Sequence, residues 1–262
     1  MLIGVNWISP NASPIIRELI DQGTIDFCEV MVDNFAHLPA KEIRSALTDI
    51  PIGLHVVTSR FLEKSLPELE ILAKSLRYWI RELQPLYVSD HLARYTINAQ
   101  YLPFVIELDY KKDFSYVKDR ILQWQDMLES NILFENYASI TSFGRDQVNF
   151  YQALAQEINL QMLFDFSNAY IAEYNQFCPI KMWNELIHHT NHFHVSGFSV
   201  DKTSQLAIDT HDTPLAPEVL ESMRSYLQHH HQASTLVVEF DVNADINYWK
   251  NELGKVKKCI SA

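Results

Sequence analysis

Short apolar runs that end in a polar residue alternate along this chain with stretches of helical periodicity. The runs are four to seven residues long and rich in Val, Ile, Leu and Phe, which is typical of parallel strands buried on both faces. We predict eight strands, at residues 3–6, 27–32, 52–55, 87–91, 132–137, 162–168, 192–197 and 236–241.

Between these strands, apolar residues recur at intervals of three and four, as on the buried face of an amphipathic helix. Leu69, Leu72 and Leu76 form one such series. The predicted helices span residues 14–22, 65–81, 114–128, 148–158, 180–189, 217–227 and 247–259.

Alternating strands and helices form right-handed βαβ units, and the chain of 262 residues holds eight units of about 33 residues each. That arithmetic is typical of a (β/α)8 TIM barrel. A doubly wound sheet also alternates strands with helices, but the chain has only six glycines and no glycine-rich first turn. The closed barrel is therefore favoured over the open sheet.

We expect one domain over residues 1–262, with two insertions. Residues 92–112 separate the fourth strand from its helix, and residues 198–214 separate the seventh strand from its helix. Both insertions follow the carboxyl end of a strand, which is the face where barrel enzymes keep their active sites.

Composition and charge narrow the range of functions. The chain has 33 acidic and 21 basic residues, a net charge of −12, which disfavours binding to nucleic acid or to anionic lipid. No apolar run approaches the roughly 20 residues of a membrane span, and the first residues do not resemble a signal peptide. The three cysteines are far apart, so we expect a reduced, cytoplasmic protein.

Polar residues at the predicted strand ends carry the chemistry. Isolated carboxylates are too costly to leave inside a barrel mouth, so carboxylates and imidazoles that converge there require a metal as counter-charge. Their number exceeds the ligands of one ion, and the mixed donor set suits two or three ions of iron, manganese or zinc. No cysteine lies among them, which disfavours an iron–sulfur cluster. The candidates are His55, His91, Glu135, Asp165, Asn168, His194, Asp209, His211 and Glu239.

Other interpretations stay open at this point. Each strand-end residue taken alone is more often a hydrogen-bonded structural group, and Asp209 and His211 are equally compatible with a plain turn. For Glu29 and Asp33, a structural role and a position near the barrel mouth are equally compatible with the sequence. A metal-dependent phosphodiesterase or sugar isomerase on the same barrel is one rival function, although no predicted strand ends in Lys or Arg. A metal-binding partner protein without catalysis is another.

Eight segments in order resemble the multinuclear non-heme iron-dependent oxidative enzymes, a family of xylose-isomerase-like TIM barrels. The resemblance spans about residues 2–245, and it rests on IDFCEVMVDNF, IGLHVV, YVSDHL, LFENY, LFDFSNAY, HFHVSG, IDTHD and VVEFD. It implies that all nine candidates listed above are metal ligands. Barrels of the endonuclease IV type have histidine where this chain has Asn168, a weaker donor, and this difference disfavours DNA repair.

Within that family, VDNFAHLP, QWQDML and DTHD are most similar to the branch that makes methanobactin, a copper chelator. That resemblance implies two or three irons, O2 as co-substrate, and oxidation of peptide cysteines to oxazolone and thioamide groups. It also implies a heterodimer with an MbnC-like partner protein, which helps to hold the leader of an MbnA-like precursor peptide. Asp241 shares a face with Glu239 and is our candidate for the catalytic base, with a helix cap as the alternative role.

Overall fold

The structure is a computed structural model, which describes residues 1–98, 100–228, 230–241 and 245–261. Its twelve strands are β1 (Leu2–Trp7), β2 (Phe27–Met31), β3 (Ile52–Val56), β4 (Val88–His91), β5 (Arg94–Ile97), β6 (Gln100–Ile106), β7 (Leu133–Glu135), β8 (Gln161–Asp165), β9 (His192–Ser196), β10 (Phe198–Val200), β11 (Ala207–Asp209) and β12 (Thr235–Glu239). Eight of them pair in parallel and close into a barrel in the order β1–β12–β9–β8–β7–β4–β3–β2. The predicted (β/α)8 barrel is confirmed.

In the part of the chain that the structure describes, ten α-helices surround the barrel: α1 (Ser13–Asp21), α2 (Val32–Phe35), α3 (Ala40–Leu47), α4 (Leu66–Leu83), α5 (Phe114–Leu128), α6 (Gln147–Ile158), α7 (Phe166–Tyr174), α8 (Asn184–His188), α9 (Pro217–Leu227) and α10 (Ile246–Ser261). The bounds of α5 and α9 are those predicted. Among the described residues, no helix is both long and apolar enough to cross a bilayer.

Several predicted elements differ from the structure. The sixth strand was predicted to run to Asn168, but β8 ends at Asp165, because this side chain accepts a hydrogen bond from the Asn168 amide and caps α7. The strand predicted at 27–32 likewise ends at Met31, because α2 begins at Val32. Strands β7 and β12 end at Glu135 and Glu239, two residues before their predicted ends. The predicted helix 180–189 is a 3-10 turn followed by α8, and the helices α2, α3 and α7 were not predicted.

The barrel interior is built in layers by the two-residue period of its strands. Its lower layer is a small apolar cluster, which consists of Phe27, Tyr87, Leu133, Leu163 and Val237. Two residues further along the same strands come Glu29, Ser89, Glu135, Asp165 and Glu239, all buried. Because alternate side chains of a strand share a face, the residues of the polar layer point into the barrel as those of the apolar layer do.

The segment 92–112 contains an antiparallel hairpin, β5–β6, which is tied to the segment between β3 and α4. The Glu63 carboxylate accepts hydrogen bonds from the backbone amides of Tyr95 and Thr96, at 3.1 and 2.9 Å. These bonds occupy the outer edge of β5, which would otherwise be an unpaired strand edge.

The segment 198–214 contains a second hairpin, β10–β11, with an equivalent tie. The Asn175 side chain accepts from the Ala207 amide at 2.8 Å and donates to the Ala207 carbonyl at 3.0 Å. The strand β11 ends at Asp209, so this clamp sets the position of a candidate ligand.

Candidate metal centre

Two imidazoles and one carboxylate meet at the carboxyl ends of β3, β4 and β7. Nε2 of His55 lies 2.9 Å from Nε2 of His91. Oε2 of Glu135 lies 3.6 Å from the first of these nitrogens and 3.3 Å from the second. The other ring nitrogen of His55 is 2.7 Å from the Ser89 hydroxyl, which leaves Nε2 to face the carboxylate. We call these three residues the histidine group.

A second group of four side chains lies beside the first and shares Glu135 with it. Each of Glu135, Asp165, His194 and Glu239 offers a ligand atom within 4.8 Å of the others. Nδ1 of His194 lies 3.3 Å from Oε1 of Glu239 and 3.7 Å from Oε1 of Glu135. We call this set the acidic group. Since the two oxygens of Glu135 face different groups, this residue has the geometry of a bridging ligand.

The other candidates lie around the acidic group. Asn168 donates through its Nδ2 atom to Oε1 of Glu135 at 3.2 Å. Nε2 of His211 is 2.9 Å from Oδ1 of Asp209 and 3.7 Å from Oε2 of Glu239. All nine predicted ligands are therefore at the same end of the barrel. Asp241 lies at the rim beside them, with Oδ2 3.2 Å from Nδ1 of His211, and its side chain is 46% exposed.

The loop that carries His211 has a constrained backbone. His211 adopts a left-handed conformation with φ of 49°, which is costly for a residue with a side chain. Its amide donates to the carbonyl of Gly197 at 2.9 Å, and its carbonyl accepts from the Asp241 amide at 3.2 Å. A side chain at Gly197 would collide with the Thr213 carbonyl, so glycine is required where this loop crosses β9.

Burial and mutual charge lower the pKa values of the two imidazoles in the histidine group and raise those of His194 and Asp165 in the acidic group. Burial lowers the pKa of His91 to about 4 and also lowers the pKa of His55, so both rings are neutral at pH 7. Burial opposes a charge on His194 as well, but the carboxylates of Glu29 and Glu239 raise its pKa well above the usual value. Burial and the Glu239 charge raise the pKa of Asp165 to about 7.

Buried polar atoms without a hydrogen-bond partner indicate that these side chains fit metal ions. Oδ2 of Asp165, Oδ1 of Asn168, Nδ1 of His194 and Oε2 of Glu239 are buried without a hydrogen bond. Buried polar atoms are rarely left unpaired, and here four of them converge on one place. Imidazole and carboxylate together suit iron, manganese and zinc. The residues of both groups therefore fit bound divalent or trivalent ions.

Three neighbours of the site were missed or left open by the sequence analysis. Glu29 lies fully buried inside the barrel, where it accepts hydrogen bonds from Tyr87 and His194, and Ser89 supports His55. The available signal was alternation, because Tyr87, Ser89 and His91 share one face of their strand. Asp33, by contrast, accepts from the backbone amides of Val57 and Thr58, which fixes the loop after β3.

Solved structures with this fold include an epimerase and an endonuclease. A 3-keto-D-glucoside 4-epimerase from E. coli covers 99% of this chain and is itself covered over its full length, with a TM-score of 0.65 at 13% identity. Endonuclease IV from Thermus thermophilus matches 100% of this chain and 99% of its own, with a TM-score of 0.62 at 15% identity. At such low identity these structures show the xylose-isomerase-like barrel alone.

Sequence relatives extend over most of the chain. A "UPF0276 protein" of Acaryochloris marina is 28% identical over 233 residues, which is 86% of this chain and 83% of the relative. A second "UPF0276 protein", from Psychromonas ingrahamii, is 24% identical over 88% of this chain and 85% of its own. The family model described as "RiPP precursor modification enzyme MbnB/TglH/ChrH" matches residues 2–261. The chain thus belongs to the MbnB/TglH/ChrH family of enzymes that modify the precursors of ribosomally synthesised peptides.

Proposed function

We propose that this protein is an iron- and O2-dependent oxidase of cysteine residues in a ribosomally made precursor peptide. The observation that carries the proposal is the shared carboxylate of Glu135, which joins a histidine group to an acidic group in a chain of this family. Imidazoles and carboxylates that share one carboxylate would suit redox-active iron. The finer assignment is an MbnB-like role in methanobactin biosynthesis, in the cytoplasm where the peptide is made.

The side chains divide the work of such a reaction. His55, His91 and Glu135 would hold one ion, and Glu135, Asp165, His194 and Glu239 would hold a second. Asp209, His211 and Asn168 would complete the coordination or hold a third ion. When bound, iron supplies the activation of O2 and a binding position for the substrate thiolate. The electrons and protons that leave the cysteine and its neighbouring amide are taken up by O2, which is reduced to water.

Asp241 would accept a proton at the rim of the mouth. Its Oδ1 atom accepts a hydrogen bond from Nδ2 of Asn6 at 3.3 Å, and its Oδ2 atom faces the His211 ring. These contacts orient the carboxylate, while its exposure allows contact with a bound peptide and with water. A base in this position would receive the proton of a peptide amide and release it to solvent.

The precursor peptide and an MbnC-like partner would meet the protein at the hairpin β5–β6. Ile97, Tyr101 and Phe104 are each about half exposed there, at 49, 55 and 58%. Large apolar side chains grouped on one exposed hairpin are typical of an interaction surface. The guanidinium of Arg60 lies 5.0 Å from the centre of the Tyr101 ring and holds that ring in place.

The test combines metal analysis with O2 uptake. The protein is purified from iron-supplemented cells and then given a cysteine-containing precursor peptide together with its partner. We expect two or more irons per chain, O2 uptake that requires the peptide, and loss of mass from the peptide at cysteine. Protein reconstituted with zinc is the matched control and should consume no O2. Iron-loaded protein that leaves the peptide unchanged would contradict the proposal and favour a hydrolase or an isomerase.

A further inference from the structure

A fully buried carboxylate and phenol lie beneath the acidic group, and the proposed reaction gives them no role. Oε2 of Glu29 accepts a hydrogen bond from the Tyr87 hydroxyl at 2.6 Å and a second from Nε2 of His194 at 2.9 Å. Glu29 and His194 have no exposed surface, and Tyr87 is 6% exposed. We infer that Glu29 and Tyr87 are positioning residues, which hold the His194 ring so that its Nδ1 atom faces the metal ligands.

The geometry of the ring carries this inference. His194 has two ring nitrogens, and only one of them is directed at Glu135 and Glu239. Nε2 is engaged by Glu29, so its proton points away from the acidic group, and Nδ1 is left without a hydrogen bond. A histidine that binds metal through one nitrogen usually donates its other N–H to a carboxylate or carbonyl, which fixes the ring and increases its basicity.

Tyr87 fixes the carboxylate in turn. Its ring fills the apolar floor of the barrel, and a Cβ atom on Gly53 would lie only 2.8 Å from it, so glycine makes the necessary room. The ring also packs against His192, with 4.7 Å between ring centres. Because this packing fixes the phenol, its hydroxyl holds one oxygen of Glu29 directly below His194.

The hydrogen bonds to Glu29 support the same interpretation. The Tyr87 hydroxyl and the His194 ring both bond to its Oε2 atom, and hydrogen bonds to a carboxylate stabilise its ionised form. Glu29 thus supports His194 in the acidic group, whereas the Ser89 hydroxyl supports His55 in the histidine group.

The inference rests on the proposed metal site but not on the oxidation of a peptide. Its test therefore uses Zn2+, which is diamagnetic and does not react with O2. Nitrogen-15 NMR of the histidine rings reports which nitrogen of His194 keeps its proton, and titration with Zn2+ reports affinity. In the wild-type protein, we expect the Nε2–H signal to persist after loading and to exchange slowly with solvent.

Three variants separate positioning from packing. Glu29→Met removes the acceptor and should weaken Zn2+ binding by about 10–100-fold at one position, with loss of the protected Nε2–H signal. Glu29→Gln keeps an oxygen at the same place and should retain that signal. Tyr87→Phe keeps the ring but frees the carboxylate, and we expect a smaller loss of affinity than in Glu29→Met.

The control variant is Ser89→Ala, which removes the support of His55 in the histidine group. It should weaken Zn2+ binding there and leave the His194 signal unchanged. Unchanged affinity and an unchanged His194 signal in Glu29→Met would overturn the inference. If Glu29→Met does not fold, unchanged Zn2+ affinity in Tyr87→Phe has the same meaning. A protein that passes these tests but leaves peptides unmodified contradicts the proposed reaction alone.

Discussion

Replacing Glu135 by glutamine should remove two metal ions at once. One oxygen of Glu135 lies 3.3 Å from His91 and belongs to the histidine group. The other lies 3.7 Å from His194 and belongs to the acidic group. An amide carries no charge, so the histidine group and the acidic group both lose the anionic ligand that they share.

The size of the effect follows from the number of ions lost. An ion supplied at 100 times its dissociation constant stabilises the folded state by about 2.7 kcal/mol, so two independent ions stabilise it by about 5 kcal/mol. For a chain of this size, each kcal/mol shifts Tm by roughly 2–4 °C. The wild-type protein should therefore gain roughly 10–20 °C on loading. Glu135→Gln should gain almost nothing, whereas Asp165→Asn and His91→Gln should each keep about half of the gain.

The assay is thermal unfolding with and without Fe2+ under anaerobic conditions, together with metal analysis of the same samples. The matched control is Glu107→Gln, because Glu107 is also a buried carboxylate but bonds to Ser139 and Thr141, away from both groups. Its shift on loading should equal that of the wild-type protein. A Glu135→Gln protein that keeps one full ion, with half of the thermal shift, would refute the bridging geometry.

Three further predictions concern the rim of the site. Asp241→Asn should retain its metal and lower the rate of O2 uptake, because the amide cannot accept a proton; an unchanged rate would remove Asp241 from the reaction. The double variant Tyr101→Ser with Phe104→Ser should weaken binding of peptide or partner, measured by calorimetry, while metal content stays constant. Gly197→Ala should force Thr213 away from β9 and lower Tm, since overpacking costs about 1–3 kcal/mol; an unchanged Tm would contradict the close approach.

Much of the fold could be predicted because each barrel strand carries its own signal. Leu133 and Glu135, or Leu163 and Asp165, already show an apolar floor followed by a polar layer within a few residues. The ends of strands were less predictable, since Asp165 both ends β8 and caps α7. The two-residue alternation of a strand does not show at which residue a side chain accepts hydrogen bonds from backbone amides and so ends the strand.

Contacts between distant parts of the chain were beyond a single sequence. Glu29 and His194 are 165 positions apart, and nothing near either residue indicates that they bond. The tie between Glu63 and the hairpin β5–β6 spans more than thirty positions for the same reason. Strand alternation predicts the face on which Glu29 lies, but the choice of partner depends on how the barrel closes.

Glu63 and Asn175 fasten the two hairpins at the mouth through backbone atoms of Tyr95, Thr96 and Ala207. Bonds to the backbone do not depend on the side chains that the same strands expose. Under the proposed function, the exposed side chains of β5–β6 can therefore diversify among relatives, and recognise different peptides, without disturbing the coordination geometry underneath. A chimera that exchanges only residues 97–104 between two relatives would therefore transfer peptide preference while preserving metal occupancy.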